Sequence, residues 1–247
     1  EVRSADGVYT ESYDALLLSP GAKPLRPPIP GIDHSRIATL RSVQDADRIR
    51  SLVGTGSSVV VVGGGFIGVE LAENLRERGL SVTLVEAMPH ILPIFDTDMI
   101  SLLEVELRRH GVELALGDGV AGFEEQEDGG ICVRLSSGRT VHGDFVALAI
   151  GVRPDTAFLD GSGIALGERG HILVNEYMQT SIPHVYAVGD AVLTRSAQTG
   201  KATALPLAGP ANRQARLAAD RMAGEARAYR GVIGTAVLKV FGLTAAA

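Results

Sequence analysis

Four consecutive valines at residues 59–62 run directly into a glycine-rich segment at residues 63–68, and this junction constrains the fold more than any other feature. A β-branched run of this kind is typical of a strand covered on both faces, as in a parallel sheet. Gly63, Gly65 and Gly68 fit the pattern G-x-G-x-x-G. The first glycine allows a tight turn, the second lets a pyrophosphate approach the backbone, and the third lets helix and strand pack closely. The junction therefore predicts the start of a dinucleotide-binding unit.

The residues that follow the loop complete the unit and indicate which dinucleotide it holds. Apolar side chains at helical spacing predict a helix that ends near Gly79, followed by a strand at residues 82–85. Glu86 closes this strand at about the spacing from Gly63 at which a carboxylate hydrogen-bonds the adenosine ribose. Its charge would repel a 2′-phosphate, and residues 87–89 supply no arginine to receive one. The pattern favours NADH over NADPH, against the alternative that Glu86 merely ends a strand at the surface.

Further along the chain the hydrophobic pattern changes its period. A helix predicted at residues 98–110 leads to a strand at 112–116, and this alternation of strands and helices predicts an α/β fold with a doubly wound parallel sheet. Between residues 120 and 151 apolar and polar residues alternate, which predicts a small antiparallel meander. Residues 145–150 are again continuously apolar, so we expect them to rejoin the parallel sheet.

Short elements are predicted on either side of this unit. The sequence indicates a buried strand at residues 14–18, a short helix at 42–52 and another buried strand at 185–188. An amphipathic helix is predicted at residues 209–224, and residues 231–241 are again strand-like. These flanking elements extend the α/β pattern to both ends of the chain.

The composition narrows the kinds of partner. Lys and Arg number 23 against 29 Asp and Glu, and the net charge of −6 argues against a nucleic-acid or anionic-membrane surface and for a small-molecule partner. No apolar run approaches the roughly 18 residues that cross a bilayer. The first residues lack a secretory signal, so we expect a cytoplasmic protein. Since Cys132 is the single cysteine and the histidines lack metal-ligand spacing, no disulfide or metal site is predicted.

Five segments taken together resemble the pyridine nucleotide-disulfide oxidoreductase family, and most closely the branch that contains CoA-disulfide reductase, NADH oxidase and NADH peroxidase. The resemblance covers nearly the whole chain, and five landmarks in the same order are highly specific. The segments are residues 16–22, 61–70, 149–154, 180–190 and 206–214.

The resemblance implies two Rossmann-like domains, with an NAD domain inserted in an incomplete FAD domain. It implies a partial FAD-binding domain at residues 1–53, an NAD(H)-binding domain at 54–151, the continued FAD-binding domain at 152–229 and the start of a C-terminal interface domain at 230–247. The chain starts without Met and ends directly after an apolar stretch, so we expect it to be a fragment of a longer protein.

The resemblance also assigns cofactor contacts to positions of this chain. Glu70, expected in the first turn of the helix, is predicted to contact the nicotinamide end, although a carboxylate in a first turn is stabilised by the helix dipole in any protein. The residues expected at NAD are Gly63, Gly65, Phe66, Ile67, Gly68, Glu70, Glu86 and Gly151. The residues expected at FAD are Ser19, Gly21, Gly189, Asp190, Leu207 and Ala208.

The expected function follows from the same resemblance. The complete protein would pass hydride from NADH to FAD and then to a disulfide, oxygen or peroxide acceptor, with CoA-disulfide reductase favoured and a homodimer expected. The redox cysteine of the family lies before the start of this chain, and Cys132 falls in the meander with a structural role, so no catalytic residue is assigned. A ferredoxin- or rubredoxin-type reductase is the enzymatic alternative, and a non-catalytic NAD(H)-binding fragment is the alternative for the chain as given.

Overall fold

The computed structural model describes residues 1–246. Its helices are α1 (Val43–Val53), α2 (Phe66–Glu77), α3 (Thr97–Arg109) and α4 (Ala208–Met222). Its strands are β1 (Val2–Ser4), β2 (Gly7–Tyr9), β3 (Leu16–Leu18), β4 (Ala22–Pro24), β5 (Ile37–Ala38), β6 (Ser58–Val62), β7 (Ser81–Glu86), β8 (Val112–Leu116), β9 (Val120–Glu125), β10 (Ile131–Leu135), β11 (Thr140–Gly143), β12 (Phe145–Leu148), β13 (Val152–Pro154), β14 (Ile172–Leu173), β15 (Val185–Ala187), β16 (Val192–Arg195), β17 (Ala202–Thr203), β18 (Val237–Val240) and β19 (Leu243–Ala246). Short 3-10 turns lie at Ala157–Leu159 and Gly189–Ala191.

The chain divides into two compact units, each built from separate stretches of sequence. One unit consists of Glu1–Lys23 and Arg153–Gly234 and is called the flavin-side unit here because it contains the residues predicted at FAD. The other, the glycine-loop unit, consists of Pro24–Val152 and the segment that begins at Thr235. The second unit contains the whole predicted range 54–151. The nucleotide that each range binds stays a prediction at this point.

A five-stranded parallel sheet forms the centre of the glycine-loop unit. Its strand order is β5-β12-β6-β7-β8, and each neighbouring pair is parallel. Strand β12 therefore rejoins the parallel sheet after the antiparallel strands β9, β10 and β11, as the sequence predicts.

The two faces of this sheet are covered by different kinds of structure. Val59 and Val61 face a buried cluster with residues of α2 and α3, whereas Val60 and Val62 face a second cluster with residues of the antiparallel meander. Successive side chains of a strand point to opposite faces, so a run of four valines supplies both clusters. The sheet is thus covered by helices on one face and by the meander on the other.

Helix boundaries follow local capping. At the start of α1, Ser42 Oγ accepts a hydrogen bond from Asp45 N at 3.2 Å, and Asp45 Oδ2 accepts one from Ser42 N at 2.9 Å. This capping box satisfies two backbone donors that have no partner within the helix. In α3 the expectation of a helix is confirmed, but the exposed fraction is 54% at Met99 and 60% at Leu102, because the buried face of α3 runs through Leu103 and Leu107.

The flavin-side unit is built from smaller sheets. Strands β3 and β15 pair in parallel, β14 and β16 pair in parallel, and β17 pairs antiparallel with β16. Helix α4 packs Ala218 into a buried cluster with Tyr186 and Met178. Strand β3 is shorter than the predicted strand at residues 14–18.

The last described residues form an antiparallel hairpin that belongs to the glycine-loop unit. Strand β18 pairs with β19, and Leu238 and Val240 are buried in the cluster on the helical face of the sheet. The Phe241 ring stacks on His110 at a centroid distance of 4.1 Å, and Glu73 Oε1 accepts a hydrogen bond from Phe241 N at 2.6 Å. The strand within the predicted range 231–241 is confined to its last part.

Among residues 1–246, none of the helices combines the length and the apolar character that crossing a membrane requires.

Candidate functional site

The glycine loop between β6 and α2 has a shape that only glycine permits at two positions. Gly63 has φ +109°, and a Cβ there would collide with the Ala149 carbonyl. A Cβ at Gly68 would collide with the carbonyl oxygen of Gly63. At Gly65, by contrast, a Cβ would meet no atom within 4 Å, so open space lies beside the backbone where a pyrophosphate is expected. The loop therefore fits the group that its sequence predicts.

Helix α2 presents its N-terminus beside this space. Its N-cap residue is Gly65, and no side chain caps the first turn by a hydrogen bond. Backbone N–H groups at such an end attract an anion, and the helix dipole adds to the attraction. Phe66 and Ile67 form the first two positions of the helix. Glu70 is exposed and lies beyond the first turn, not in it as the sequence suggested.

Glu86 stands at the end of β7 and contacts the glycine loop directly. Its Oε2 accepts a hydrogen bond from Gly64 N at 2.6 Å, and its Oε1 accepts one from Met88 N at 2.7 Å. Each carboxylate oxygen has two acceptor positions, so these bonds fix the group and leave acceptor capacity for a ribose diol. Glu86 is thus part of the loop and does more than end a strand.

Gly151 follows β12, the strand beside β6 in the sheet. It has φ +105°, and its carbonyl accepts a hydrogen bond from Leu25 N at 2.9 Å. Ligands of open α/β sheets bind at the carboxyl ends of the strands. The glycine loop, Glu86 and Gly151 follow the carboxyl ends of β6, β7 and β12, so the structure places the predicted NAD residues along one edge of one sheet.

The predicted flavin residues lie in the other unit, also at strand ends. Ser19 follows β3 and Gly189 follows β15, and a Cβ at Gly189 would lie 3.8 Å from Ser19 Oγ. Asp190 continues from Gly189 in the 3-10 turn. Gly21 has φ +71°, and its carbonyl accepts a hydrogen bond from Asp155 N at 3.0 Å. Ser19, Gly189 and Asp190 therefore share one edge of the β3–β15 pair.

Helix α4 begins beside this edge. Leu207 is its N-cap residue, Ala208 its first residue, and no side chain caps it by a hydrogen bond. A Cβ added at Gly209 would meet no atom within 4 Å. An uncapped helix N-terminus suits an anionic group, as the reduced flavin requires. The residues present fit the flavin contacts that the sequence predicts.

Comparison with known proteins decides which family these two sets of residues belong to. Residues 2–215 match the family described as pyridine nucleotide-disulphide oxidoreductase. The chain belongs to the pyridine nucleotide-disulphide oxidoreductase family. The recognition made from the five sequence segments is confirmed.

Two curated relatives of this family are similar over nearly the whole chain. An NADH oxidase of Enterococcus faecalis (strain ATCC 700802 / V583) is 38% identical over 234 residues, which are 94% of this chain and 52% of the relative. A coenzyme A disulfide reductase of Staphylococcus aureus (strain bovine RF122 / ET3-1) is 31% identical over 245 residues, which are 98% of this chain and 54% of the relative. The chain spans about half the length of the curated relatives it matches.

Solved structures of the family share the fold. Reduced CoADR-RHD of Bacillus anthracis has a TM-score of 0.91 and 48% identity, covering 96% of this chain and 43% of the other. An engineered water-forming NADPH oxidase bound to NADPH, a mutant of the Lactobacillus brevis NADH oxidase, has a TM-score of 0.90 and 30% identity, covering 94% of this chain and 51% of the other. The predicted α/β fold class is confirmed.

Sequence reasoning missed two buried polar residues that support the candidate sites. Gln214 is 3% exposed, and its Oε1 accepts a hydrogen bond from Gly189 N at 2.8 Å, which ties α4 to the strand end that carries Asp190. Glu104 is 6% exposed on α3 and bonds to the loop after β7. Each is a polar residue on the buried side of an amphipathic helix, and that position is the signal that could have revealed it.

Cys132 lies in β10 and is 6% exposed. Burial raises the pKa of its thiol, and the nearby charge of Glu124 raises it further. Since the thiolate is the reactive form, this environment disfavours reaction of the thiol at neutral pH. Among residues 1–246, no three His, Cys, Asp or Glu side chains are grouped to hold a metal ion.

Proposed function

We propose that the complete protein is an FAD- and NADH-dependent oxidoreductase. The observation that carries the proposal is the glycine loop, open at Gly65 and bounded by the Glu86 carboxylate that bonds to Gly64 N. Once bound, the nicotinamide supplies a hydride and the flavin accepts it, so the protein supplies binding and orientation.

The residues of this chain would divide that work between the two units. The N–H groups at the start of α2 would hold the pyrophosphate of NADH, and Glu86 would hold the adenosine ribose. Glu70, exposed on the same helix, would contact the nicotinamide end, and Gly151 would line the opposite side. In the other unit, Asp190 would bond the ribityl chain of FAD.

The remaining flavin contacts would come from the ends of α4 and β3. The first N–H groups of α4, after Leu207 and at Ala208, would face the isoalloxazine, where they stabilise negative charge. Ser19 and Gly21 lie shortly before the chain leaves the flavin-side unit at Lys23. They would lie near the adenosine part of FAD. Gln214 would hold the Gly189 backbone in place, because its carbonyl oxygen accepts the Gly189 N–H.

The choice of NADH over NADPH is supported by the engineered relative. That NADPH oxidase differs from its NADH-oxidase parent by five substitutions, the first of which changes a glycine to alanine. Eighteen positions later, three successive residues change: aspartate to alanine, alanine to arginine and methionine to serine. Five positions after the last of these, a proline changes to arginine. Residues of this chain recur at the same spacing, and they are Gly68, Glu86, Ala87, Met88 and Pro93. Four of these five residues are identical to those of the NADH-oxidase parent, and Glu86 stands where the parent has aspartate.

The test is to transfer four of these substitutions to this chain as E86A/A87R/M88S/P93R, with Gly68 kept because a Cβ there would collide with the Gly63 carbonyl oxygen. The unaltered chain is expected to bind NADH at least about tenfold more tightly than NADPH, a difference of about 1.4 kcal/mol. The variant is expected to reverse that order, since it removes the carboxylate and adds two arginines for the 2′-phosphate. The conservative variant E86D is the control and is expected to keep the NADH preference. Equal affinities of the unaltered chain for both nucleotides would refute the assignment of Glu86.

The electron acceptor we favour is CoA disulfide, with oxygen and peroxide as the other acceptors of this branch. The support is the 48% identity to CoADR-RHD; of the two curated relatives, the NADH oxidase at 38% exceeds the coenzyme A disulfide reductase at 31%, so oxygen must be tested beside CoA disulfide. The complete protein, expected to be a cytoplasmic homodimer, is the material to test. NADH consumption would be measured with CoA disulfide, oxygen and peroxide in turn, and a complete sequence without a cysteine near its first glycine-rich motif would exclude disulfide reduction and favour a ferredoxin-type reductase.

A further inference from the structure

Glu104 is a buried acid on the apolar face of α3. The buried positions of this helix are Ile100, Leu103, Glu104 and Leu107, so an acid stands where the helical pattern calls for an apolar side chain. The side chain of Glu104 is only 7% exposed. A buried acid is desolvated at a cost in free energy and persists only where partners satisfy it, so the contacts of Glu104 show what it does.

The partners of Glu104 lie in the loop at residues 87–96, between β7 and α3. Glu104 Oε1 lies 3.1 Å from His90 Nδ1 and accepts a hydrogen bond from Ile91 N at 3.3 Å. Glu104 Oε2 lies 3.8 Å from Arg108 Nη1 on the next turn of the helix. The acid therefore joins α3 to the middle of this loop through a side-chain contact and a backbone bond.

The same part of the loop contacts the glycine loop. Leu92 N donates a hydrogen bond to Gly64 O at 2.9 Å, and a Cβ at Gly64 would lie 2.8 Å from Ile91 Cγ2. Leu92 has φ +47° and is 1% exposed. A leucine in this conformation is strained by about 1 kcal/mol or more and persists only where its surroundings hold it. Glu104 supplies one of the bonds that hold the residue just before it.

We propose that Glu104 is a positioning residue for the adenosine half of the dinucleotide, an inference that rests on the proposed NADH site. It fixes residues 90–92 against Gly64, and the start of the same loop carries Ala87 and Met88 beside Glu86. With this loop already ordered, binding the adenosine ribose does not have to order it, and affinity improves for that reason.

The test measures ADP-ribose, which contains the adenosine half and the pyrophosphate but no nicotinamide. E104M is expected to raise the Kd for ADP-ribose by about fivefold to tenfold, because the loop must then be ordered on binding. Its Tm is expected to fall, because the buried Ile91 N–H and the His90 and Arg108 side chains lose the carboxylate that contacts them, so the Kd is measured well below that Tm. E104Q is expected to keep the wild-type Kd within about twofold, because its amide oxygen still accepts from Ile91 N.

E106M is the matched control, the same substitution on the same helix at an acid that pairs with Arg109 and His110 and not with the loop. It is expected to leave the Kd for ADP-ribose unchanged. H90A is a second test from the loop side, where the 40% exposed histidine can be removed without disturbing the core, and it is expected to raise the Kd by about twofold to threefold. H90A carries the test if E104M does not fold.

The outcomes separate this inference from the proposed function. If the unaltered chain binds ADP-ribose and E104M and H90A bind it equally well, the positioning role is refuted and the NADH site stands. If E104M lowers Tm and Kd changes only in proportion to the unfolded fraction, Glu104 is structural and the inference is refuted. If the unaltered chain does not bind ADP-ribose, both the NADH site and the inference are refuted.

Discussion

The two units of this chain differ in the size and burial of the sheets that carry their predicted nucleotide-binding residues. In the glycine-loop unit, a five-stranded parallel sheet is buried on both faces, with twenty buried residues in one cluster and thirteen in the other. In the flavin-side unit, the strands that carry the predicted flavin residues form a pair, and the buried clusters contain six and five residues. Burial of apolar surface is the main stabilising term in folding, so we expect the sheet of the glycine-loop unit to be the more rigid.

The difference matters because a site binds best when its groups are already in place. The glycine loop is fixed by hydrogen bonds from Gly63 to Val85, from Gly64 to Glu86 and from Leu92 to Gly64. In the flavin-side unit, Gln214 fixes Gly189, but β3 leaves Leu17 37% exposed. We therefore expect this chain to hold NADH more firmly than FAD, and the variants below probe that contrast.

The largest effect is expected from substitutions within the glycine loop. Gly63→Ala forces a Cβ into the Ala149 carbonyl at φ +109° and is expected to destabilise the glycine-loop unit by about 3 kcal/mol or more. Gly65→Ala meets no protein atom, so its Tm is expected to match the wild type, while the new methyl occupies the space assigned to the pyrophosphate and weakens NADH binding. Thermal unfolding and calorimetry measure the two effects separately.

A Gly65→Ala variant that binds NADH as well as the wild type would break the contrast, because the open space at Gly65 would then have no ligand. Loss of stability in Gly65→Ala comparable to that in Gly63→Ala would show that the space beside Gly65 is filled by protein.

A smaller effect is expected at Asp144, which ties the start of β6 to the start of β12. Its Oδ2 accepts hydrogen bonds from Ser57 N at 2.7 Å and from Ser58 N at 2.8 Å, and also from both serine hydroxyls. These bonds, led by the Ser57 N–H, lower the pKa of Asp144. Asp144→Ala is expected to lower the free energy of unfolding at pH 7 by about 2 kcal/mol, since bonds to a charged acceptor are lost.

The effect of Asp144→Ala should depend on pH in a defined direction. A carboxylate with a lowered folded-state pKa contributes stability that is fully present above its unfolded pKa of about 4 and is lost as pH falls through the folded-state pKa. Denaturant titrations of both proteins should therefore converge as pH falls below about 4. A difference that is the same at pH 7 and at pH 3 would show that the charge of Asp144 does not contribute.

A substitution at Cys132 tests whether the meander stabilises the glycine-loop unit without contributing to NADH binding. Cys132→Ala is expected to lower the free energy of unfolding by about 1 kcal/mol and to leave NADH affinity unchanged. In the native protein the thiol should react slowly with a thiol reagent, because burial raises its pKa, and rapidly once denaturant is added. Rapid labelling of the folded protein would contradict this account of the meander.

The smallest effect is expected in the flavin-side unit. Gly209→Ala, near the start of α4, places a Cβ in open space and should raise the free energy of unfolding by about 0.5 kcal/mol through helix propensity. FAD binding should weaken, because the methyl stands where the flavin is expected. Unchanged FAD binding would place the flavin away from the start of α4.

The sequence predicted best the features that depend on neighbouring residues. The strand, loop and helix from Ser58 to Glu77 were predicted because a valine run, spaced glycines and helical spacing are local signals. The return of β12 to the parallel sheet was predicted by the same kind of signal. These local signals are sufficient to place the glycine loop and Glu86 in the sequence.

The features that depend on tertiary packing were harder to predict. Met99 and Leu102 are exposed although they are apolar, and Glu104 on the same helix is buried although it is charged. Helical spacing identifies a face, but the elements packed against α3, including the loop that contacts Glu104, decide which of its side chains are buried. Strand β19 was not predicted, since its pairing with β18 and the packing of Val240 on α2 and α3 depend on residues far along the chain.

The most direct test of the contrast between the units is to titrate this chain with NADH and with FAD in a calorimeter. We expect one NADH per chain and an NADH affinity at least about tenfold greater than that for FAD, roughly 1.4 kcal/mol. Stronger binding of FAD, or no binding of NADH, would contradict the assignment of the glycine loop and of the unit that supports it.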